Sequence, residues 1–292
     1  MAVAEYYVPT TLVRYRGRVG FSVRQYFRGT SVPSYAAFGA LAVMFVVAIF
    51  ARTIAPYDPL VTAGVPMTPP NAMNLLGTDT VGRDLLSRVL CGMQASWFGA
   101  LVVVAAGVIF GGLIGLLAGT VGGWIDAVLM RTTDAFLALP GPILALAVVA
   151  AIGRSYTHTL IGVAIVWWPL YARIVRAEVR RLRASPHTEA AQVGGASMWR
   201  LMTRHLLPGA VPATIVTASL DVAALVLMLS TLSFLGLGAP QPAPELGSMS
   251  AQGLTYIFSA WWIPIMPAFA VALIAIVANF AGDAIRDRIR DR

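Results

Sequence analysis

Lysine is absent: all 21 basic residues of the 292-residue chain are arginine. A phosphate-binding loop needs a lysine to reach nucleotide phosphates, and a Schiff-base enzyme needs one as nucleophile. The chain is expected to be neither, so ATP-driven work must fall to another polypeptide. Cys91 stands alone, which excludes an internal disulfide framework and a cysteine metal site within the chain. The three histidines, His158, His187 and His205, are too scattered to suggest a ligand cluster. Charge is scarce as well. Charged residues make up 12% of the chain against 58% hydrophobic, where a soluble domain carries roughly 25% charged residues. The formal net charge of +8 raises a nucleic-acid reading. The arginines interrupt apolar spans instead of forming a solvated basic face, so that reading is rejected.

Long charge-free runs take the place of charge. Six approach or reach the ~20 apolar residues that cross ~30 Å of hydrocarbon, near 35–55, 97–119, 135–153, 159–177, 211–236 and 264–282. The expected fold is all-α, a polytopic membrane protein with about six transmembrane helices. Gly111, Gly112, Gly115, Pro140, Pro142 and Pro169 lie within these runs. Small residues let membrane helices approach closely, and proline is tolerated there.

Arginine placement predicts orientation. Arg14, Arg16, Arg18, Arg24 and Arg28 precede the first run. Arg131 follows the second, and Arg173, Arg176, Arg180, Arg181, Arg183, Arg200 and Arg204 surround the gap between the fourth and fifth. With Arg286, Arg288, Arg290 and Arg292 these fall on one side; only Arg52, Arg83, Arg88 and Arg154 fall on the other. Both termini are expected in the cytoplasm. The chain then divides into an Arg-rich arm over 1–34 and a transmembrane domain over 35–292, with an outer loop at 56–96 and a cytoplasmic loop at 178–210. The arm reads as a topology determinant or as an interfacial helix on anionic lipid. No cleavable leader is expected, because the first apolar run starts late and is long enough to stay in the bilayer.

The cytoplasmic loop carries the sharpest signal. From His187 it reads HTEAAQVGGASMWRLMTRHLLPGAVPATIV. Two short helices are predicted, broken at Gly194 and Gly195, with Thr188 capping the first ahead of Glu189. The second gathers Met198, Trp199, Leu201, Met202 and Leu206, and Pro208 is expected to end it. A solvated loop has no need of such a set, whereas a groove on another protein does. The alternative is a pair of amphipathic helices lying on the membrane.

The run Glu189-Ala190-Ala191, then Gly195, then Leu207-Pro208 resembles the EAA motif of binding-protein-dependent ABC importer permeases. In that family the loop forms coupling helices that dock on an ATPase subunit. The resemblance thus implies ATPase docking by Glu189, Ala190, Ala191, Gly195, Ala196, Trp199, Leu207 and Pro208. Three further segments resemble the second permease of dipeptide, oligopeptide and nickel importers. They are LGTDTVGRDLLSRVLCG at 76–92; Asp126, Met130-Arg131 and Asp134 followed by Pro140; and LSFLGLGAPQPAPELGSM at 232–249, followed by Trp261-Trp262, Pro267, Asn279 and Gly282-Asp283. Leu229, Leu246 and Ala268 depart from residues common in that branch, which leaves the cargo open between dipeptides, longer peptides and nickel chelates. The resemblance implies a second, related permease, two ATPase subunits that bind the ATP and Mg, an extracytoplasmic binding protein, and a place in the inner membrane. No cofactor is expected in this chain.

Asp221 is the one acidic residue deep inside a predicted span. A carboxylate in hydrocarbon costs ~2.5–3.5 kcal/mol on insertion scales, so it is a candidate pathway-lining group, or else half of a buried pair with an arginine or hydrogen-bonded to a sister subunit. Asp79, Arg83, Asp84 and Arg88 cluster ahead of the second span, as ion pairs that fold the outer loop or as a contact for a docked protein. Arg173, Arg176 and Arg180 recur at helical spacing and read as snorkelling topology signals. An ion-coupled transporter would need ionisable or unwound sites near the midplane, for which Asp221 alone is a thin basis. An intramembrane enzyme is disfavoured, since no zinc-protease helix, nucleophile elbow or paired intramembrane aspartates appear.

Overall fold

A computed structural model describes residues 32–290 of the chain; the Arg-rich arm lies almost wholly outside them. Among the described residues the structure is helical. Its only strand-like pairings are two isolated bridges, Thr62 with Arg83 and Thr78 with Asp84. We label the helices α1 (Val32–Ile49), α2 (Ala51–Ile54), α3 (Leu85–Val121), α4 (Gly123–Leu137) and α5 (Gly141–Ile152). They continue as α6 (Tyr156–Arg183), α7 (Pro186–Val193), α8 (Met198–Phe234), α9 (Leu246–Gly253) and α10 (Trp262–Arg290).

Four of these, α3, α6, α8 and α10, are long and apolar enough to cross a membrane, at 37, 28, 37 and 29 residues. α4 and α5 are bent by 88° at their junction and make a fifth candidate span if taken together. α1 is apolar and 18 residues long.

Several elements differ from the pattern read off the sequence, each for a local reason. α3 starts at Leu85, well before the expected 97, so the outer segment ends at Asp84, whose carboxylate caps the helix by accepting from Ser87 N at 2.8 Å. Arg88 and Gln94 hid this start, yet both are satisfied inside the protein: Arg88 donates to the Pro59 and Pro242 carbonyls, and Gln94 to the Ala48 carbonyl. The run 135–153 is not one straight span. It breaks at Pro140, because proline holds its own φ and biases the residue before it away from helix. α6 runs on to Arg183 and α8 begins at Met198, so the chain between them is much shorter than 178–210. Pro208 does not end a helix: a π turn at Met202–Leu206 precedes it and carries the chain into the long span. A π turn shifts the hydrogen-bond register, which accommodates a residue that has no N–H to give.

The main core joins α3, α6, α8 and α10 through side chains such as Val103, Val163, Leu225 and Ile274, all essentially inaccessible. Phe110, Ile143, Phe269 and Phe280 are each more than 60% exposed and form an apolar exterior, the surface expected of helices solvated by lipid. α3 and α6 meet along Gly111, Gly115 and Gly119, spaced every fourth residue on one face. A Cβ at Gly115 would lie 2.9 Å from Arg176 N and 3.0 Å from Val175 Cβ. Small residues at this spacing let two membrane helices pack backbone to backbone.

Candidate functional site

The segment between α6 and α8 is built from caps. Ser185, in an extended conformation, precedes Pro186 at the first helical position of α7. That arrangement displaces Thr188 from the predicted capping role, and Thr188 is fully buried instead. α7 closes with Gly195 at φ +79°, where Gly195 N donates to the Gln192 carbonyl and Ala196 N to the Ala191 carbonyl. Only glycine adopts that backbone without strain. Ser197 then caps α8.

This geometry sorts the apolar set in two. Leu201, Met202 and Leu206 turn inward and pack against Val175, Val179 and Leu182 of α6. Met198 and Trp199 turn outward, at 47% and 73% exposure, alongside Val193 at 90%. Glu189, Ala190, Gly195, Leu207 and Pro208 are exposed as well; Ala191 and Ala196 are half-buried. The exposed face is therefore a smaller patch than the sequence suggested, centred on Trp199 and Val193 and flanked by the Glu189 carboxylate.

Below this patch the arginines of α6 are engaged and do not snorkel. Asp126 of α4 is buried; Arg176 holds both its oxygens, and Arg180 Nη2 reaches Oδ2 at 2.6 Å. Arg173 pairs with Asp134 at 2.6 Å on a half-exposed surface. Arg183 donates to the Thr120 carbonyl at the end of α3. The foot of α6, which leads into α7, is thus tied to two other helices. From sequence the Asp126 and Asp134 motif was visible, but its partners were not, since they lie about fifty residues away.

At the opposite end, Asp79, Arg83, Asp84 and Arg88 are all buried. Asp79 accepts from Arg83 Nε at 2.7 Å and lies 3.4 Å from Arg88 Nε. Asp84 accepts from the Asn74 amide and from Ser87. Trp262 of α10 donates to the Thr78 carbonyl at 3.2 Å and packs beside Gly77, which has φ +78°. Nearby, Glu245 is buried and accepts from Ser233 Oγ and Ala239 N. The sequence reading passed over Glu245 because nothing in its run of prolines announces a partner.

Asp221 lies near the middle of α8. Its Oδ2 accepts from Trp167 Nε1 of α6 at 3.0 Å, and Tyr171 of α6 lies beside it. Trp167 and Tyr171 went unrecognised in the sequence because an aromatic within a span reads as core.

Residues 111–292, more than half of the chain, match the family described as binding-protein-dependent transport system inner membrane component. The chain belongs to this family. Among its relatives, the probable D,D-dipeptide transport system permease protein of Escherichia coli is 41% identical over 248 residues, covering 85% of this chain and 83% of that protein. The di/tripeptide transport system permease protein of Pseudomonas aeruginosa is 38% identical over 263 residues, covering 87% of each. A chain of the MetNI methionine ABC transporter, in an inward-facing conformation, superposes with a TM-score of 0.57 over 69% of this chain and 95% of its own. At 19% identity that likeness is one of fold. The family match takes in α4 to α10, and so the Trp199 patch, the Asp126 cluster and Asp221 of this inner membrane component.

Proposed function

We propose that this chain is one of two permease subunits of an ATP-driven ABC importer for peptides in the cytoplasmic membrane. The observation that carries the reading is the exposed, capped segment 184–197 with Trp199 at its edge, following directly on the foot of α6, which the Asp126 cluster ties to α4. An apolar, rigid, unpartnered projection is the shape of a plug for a groove. The names of the relatives support a peptide cargo. Six spans follow if α1, α3, the α4–α5 pair, α6, α8 and α10 each cross once. The arginine bias then puts both termini and the Trp199 patch in the cytoplasm.

In this reading a related permease supplies the other wall of the passage, and an extracytoplasmic binding protein delivers the peptide. Two ATPase subunits bind ATP and Mg, one of them gripping Glu189, Ala190, Ala191, Gly195, Ala196, Trp199, Leu207 and Pro208. ATP drives the change of access because it binds the closed ATPase pair more tightly, and the docked segment transmits that difference. The absence of lysine supports the division of labour, since this chain has no P-loop of its own.

The test is co-purification of the tagged chain from its native membrane. ATPase subunits should accompany the wild type and be lost from Glu189→Ala, Trp199→Ala and Gly195→Asp, while the sister permease stays bound. A folded wild type that brings down no ATPase would sink the proposal and leave an ion-coupled transporter as the leading reading.

A further inference from the structure

Among the described residues Asp221 has an indole donor but no counter-charge. About 20 Å of helix separate it from the end of α8 at Phe234, and it lies inside the apolar run 211–236. Its carboxylate is half-buried, and the Trp167 indole holds one oxygen at 3.0 Å. Tyr171 beside it is fully inaccessible, and its hydroxyl has no hydrogen-bond partner of good geometry. Among the described residues no arginine or histidine stands within ion-pair distance of Asp221. Buried polar groups left short of partners are rare and call for an explanation.

Backbone irregularity collects at the same place. Pro169 lies between Trp167 and Tyr171 inside α6 and offers no N–H to the Ile165 carbonyl. The π turn Gly107–Gly111 of α3 abuts the Tyr171 ring, where a Cβ on Gly107 would come within 2.8 Å. Irregular backbone at membrane depth is tolerated where it is covered by protein or lines a polar path, and π turns gather at functional sites. Thr217 and Thr214 continue a polar row from Asp221 along the same face of α8.

We propose that Asp221, Trp167 and Tyr171 form a cation-accepting site in the translocation path, and that its ligand is the ammonium group of the transported solute. The inference rests on the importer reading above. Its chemistry is that of a primary ammonium. The free carboxylate oxygen accepts a charge-assisted hydrogen bond and the half-buried Trp167 ring offers cation–π stabilisation, while Tyr171 backs the carboxylate from inside the protein. A solute whose amine is acylated would lose all of these and leave the carboxylate unpaired.

The test uses the whole importer, reconstituted in vesicles with its sister permease, ATPases and binding protein. Uptake is compared for a free-amine dipeptide and its N-acetyl form, each at a concentration saturating the binding protein. Wild type should favour the free amine. Asp221→Asn should lower uptake of the free-amine dipeptide by about tenfold and bring the ratio of the two towards one, and Asp221→Glu should restore the preference. An unchanged ratio in Asp221→Asn overturns the site, as does a wild type with no preference. Loss of the sister permease from the Asp221→Asn complex also overturns it and reassigns the carboxylate to the subunit interface. Failure of the wild type to take up either peptide with ATP defeats the importer reading itself, and the proposal with it.

Discussion

At Gly115 a single hydrogen atom separates contact from collision. A Cβ there would strike the backbone of α6 at Ala172 and Arg176, and helix backbone, unlike a side-chain tip, cannot swing aside. Gly112, three positions earlier and turned off the α6 contact, has nothing within 4 Å. Gly115→Val should therefore push α3 from α6 at a cost of about 1–3 kcal/mol, while Gly112→Val should cost close to nothing. Thermal unfolding of the two variants in one detergent checks this; equal melting temperatures would mean that the glycine seam does not set the helix spacing. The same logic explains why Gly195 was readable as a break while the packing beside Gly77 was not. Positive φ is a local property, whereas the Trp262 ring beside Gly77 comes from a residue far along the chain.

Ion pairs decide how the helices are strung together. Asp126 joins α4 to α6 in a buried, two-arginine arrangement, while Asp134 joins the same helices through a pair with both side chains more than half exposed. Asp126→Asn should destabilise by about 1.5–3 kcal/mol, the range for hydrogen bonds to charged groups. Asp134→Asn should cost under ~1 kcal/mol, because solvent screens the exposed pair. A larger loss at Asp134 would reverse the assignment of which pair anchors α6. Element existence was legible in the sequence wherever an apolar run was unbroken, as in α6, α8 and α10. It failed in two ways. Polar residues satisfied by distant carbonyls, such as Arg88 and Gln94, looked like loop and hid the first three turns of α3. Hydropathy alone also cannot see a corner, so the break at Pro140 passed as the middle of a span. The segment between α6 and α8 was legible in its glycines and exposed Trp199, but the inward turn of Leu201, Met202 and Leu206 depended on α6 packing over them.

Two segments among the described residues carry strongly exposed apolar tips. One is the outer segment before α3, where Met73 is 79% exposed; the other is the turn after α7, where Val193 is 90% exposed. The one native thiol, Cys91, is buried, so the chain offers an almost silent background for cysteine labelling. Met73→Cys should react with an impermeant maleimide on intact cells, and Val193→Cys only after the membrane is opened. Labelling of both from outside would overturn the six-span topology. α8 links these two ends without a break. It runs 37 residues from Met198, in the exposed patch, through Asp221 to Phe234, a rod about 55 Å long. A rod pivoted at one end acts as a lever: tilting it by about 5° at Met198 sweeps the far tip through about 5 Å. Asp221, over halfway along, would move through about 3 Å, the length of one hydrogen bond. A tilt of a few degrees at the Trp199 end is thus large enough to make or break a contact at the carboxylate.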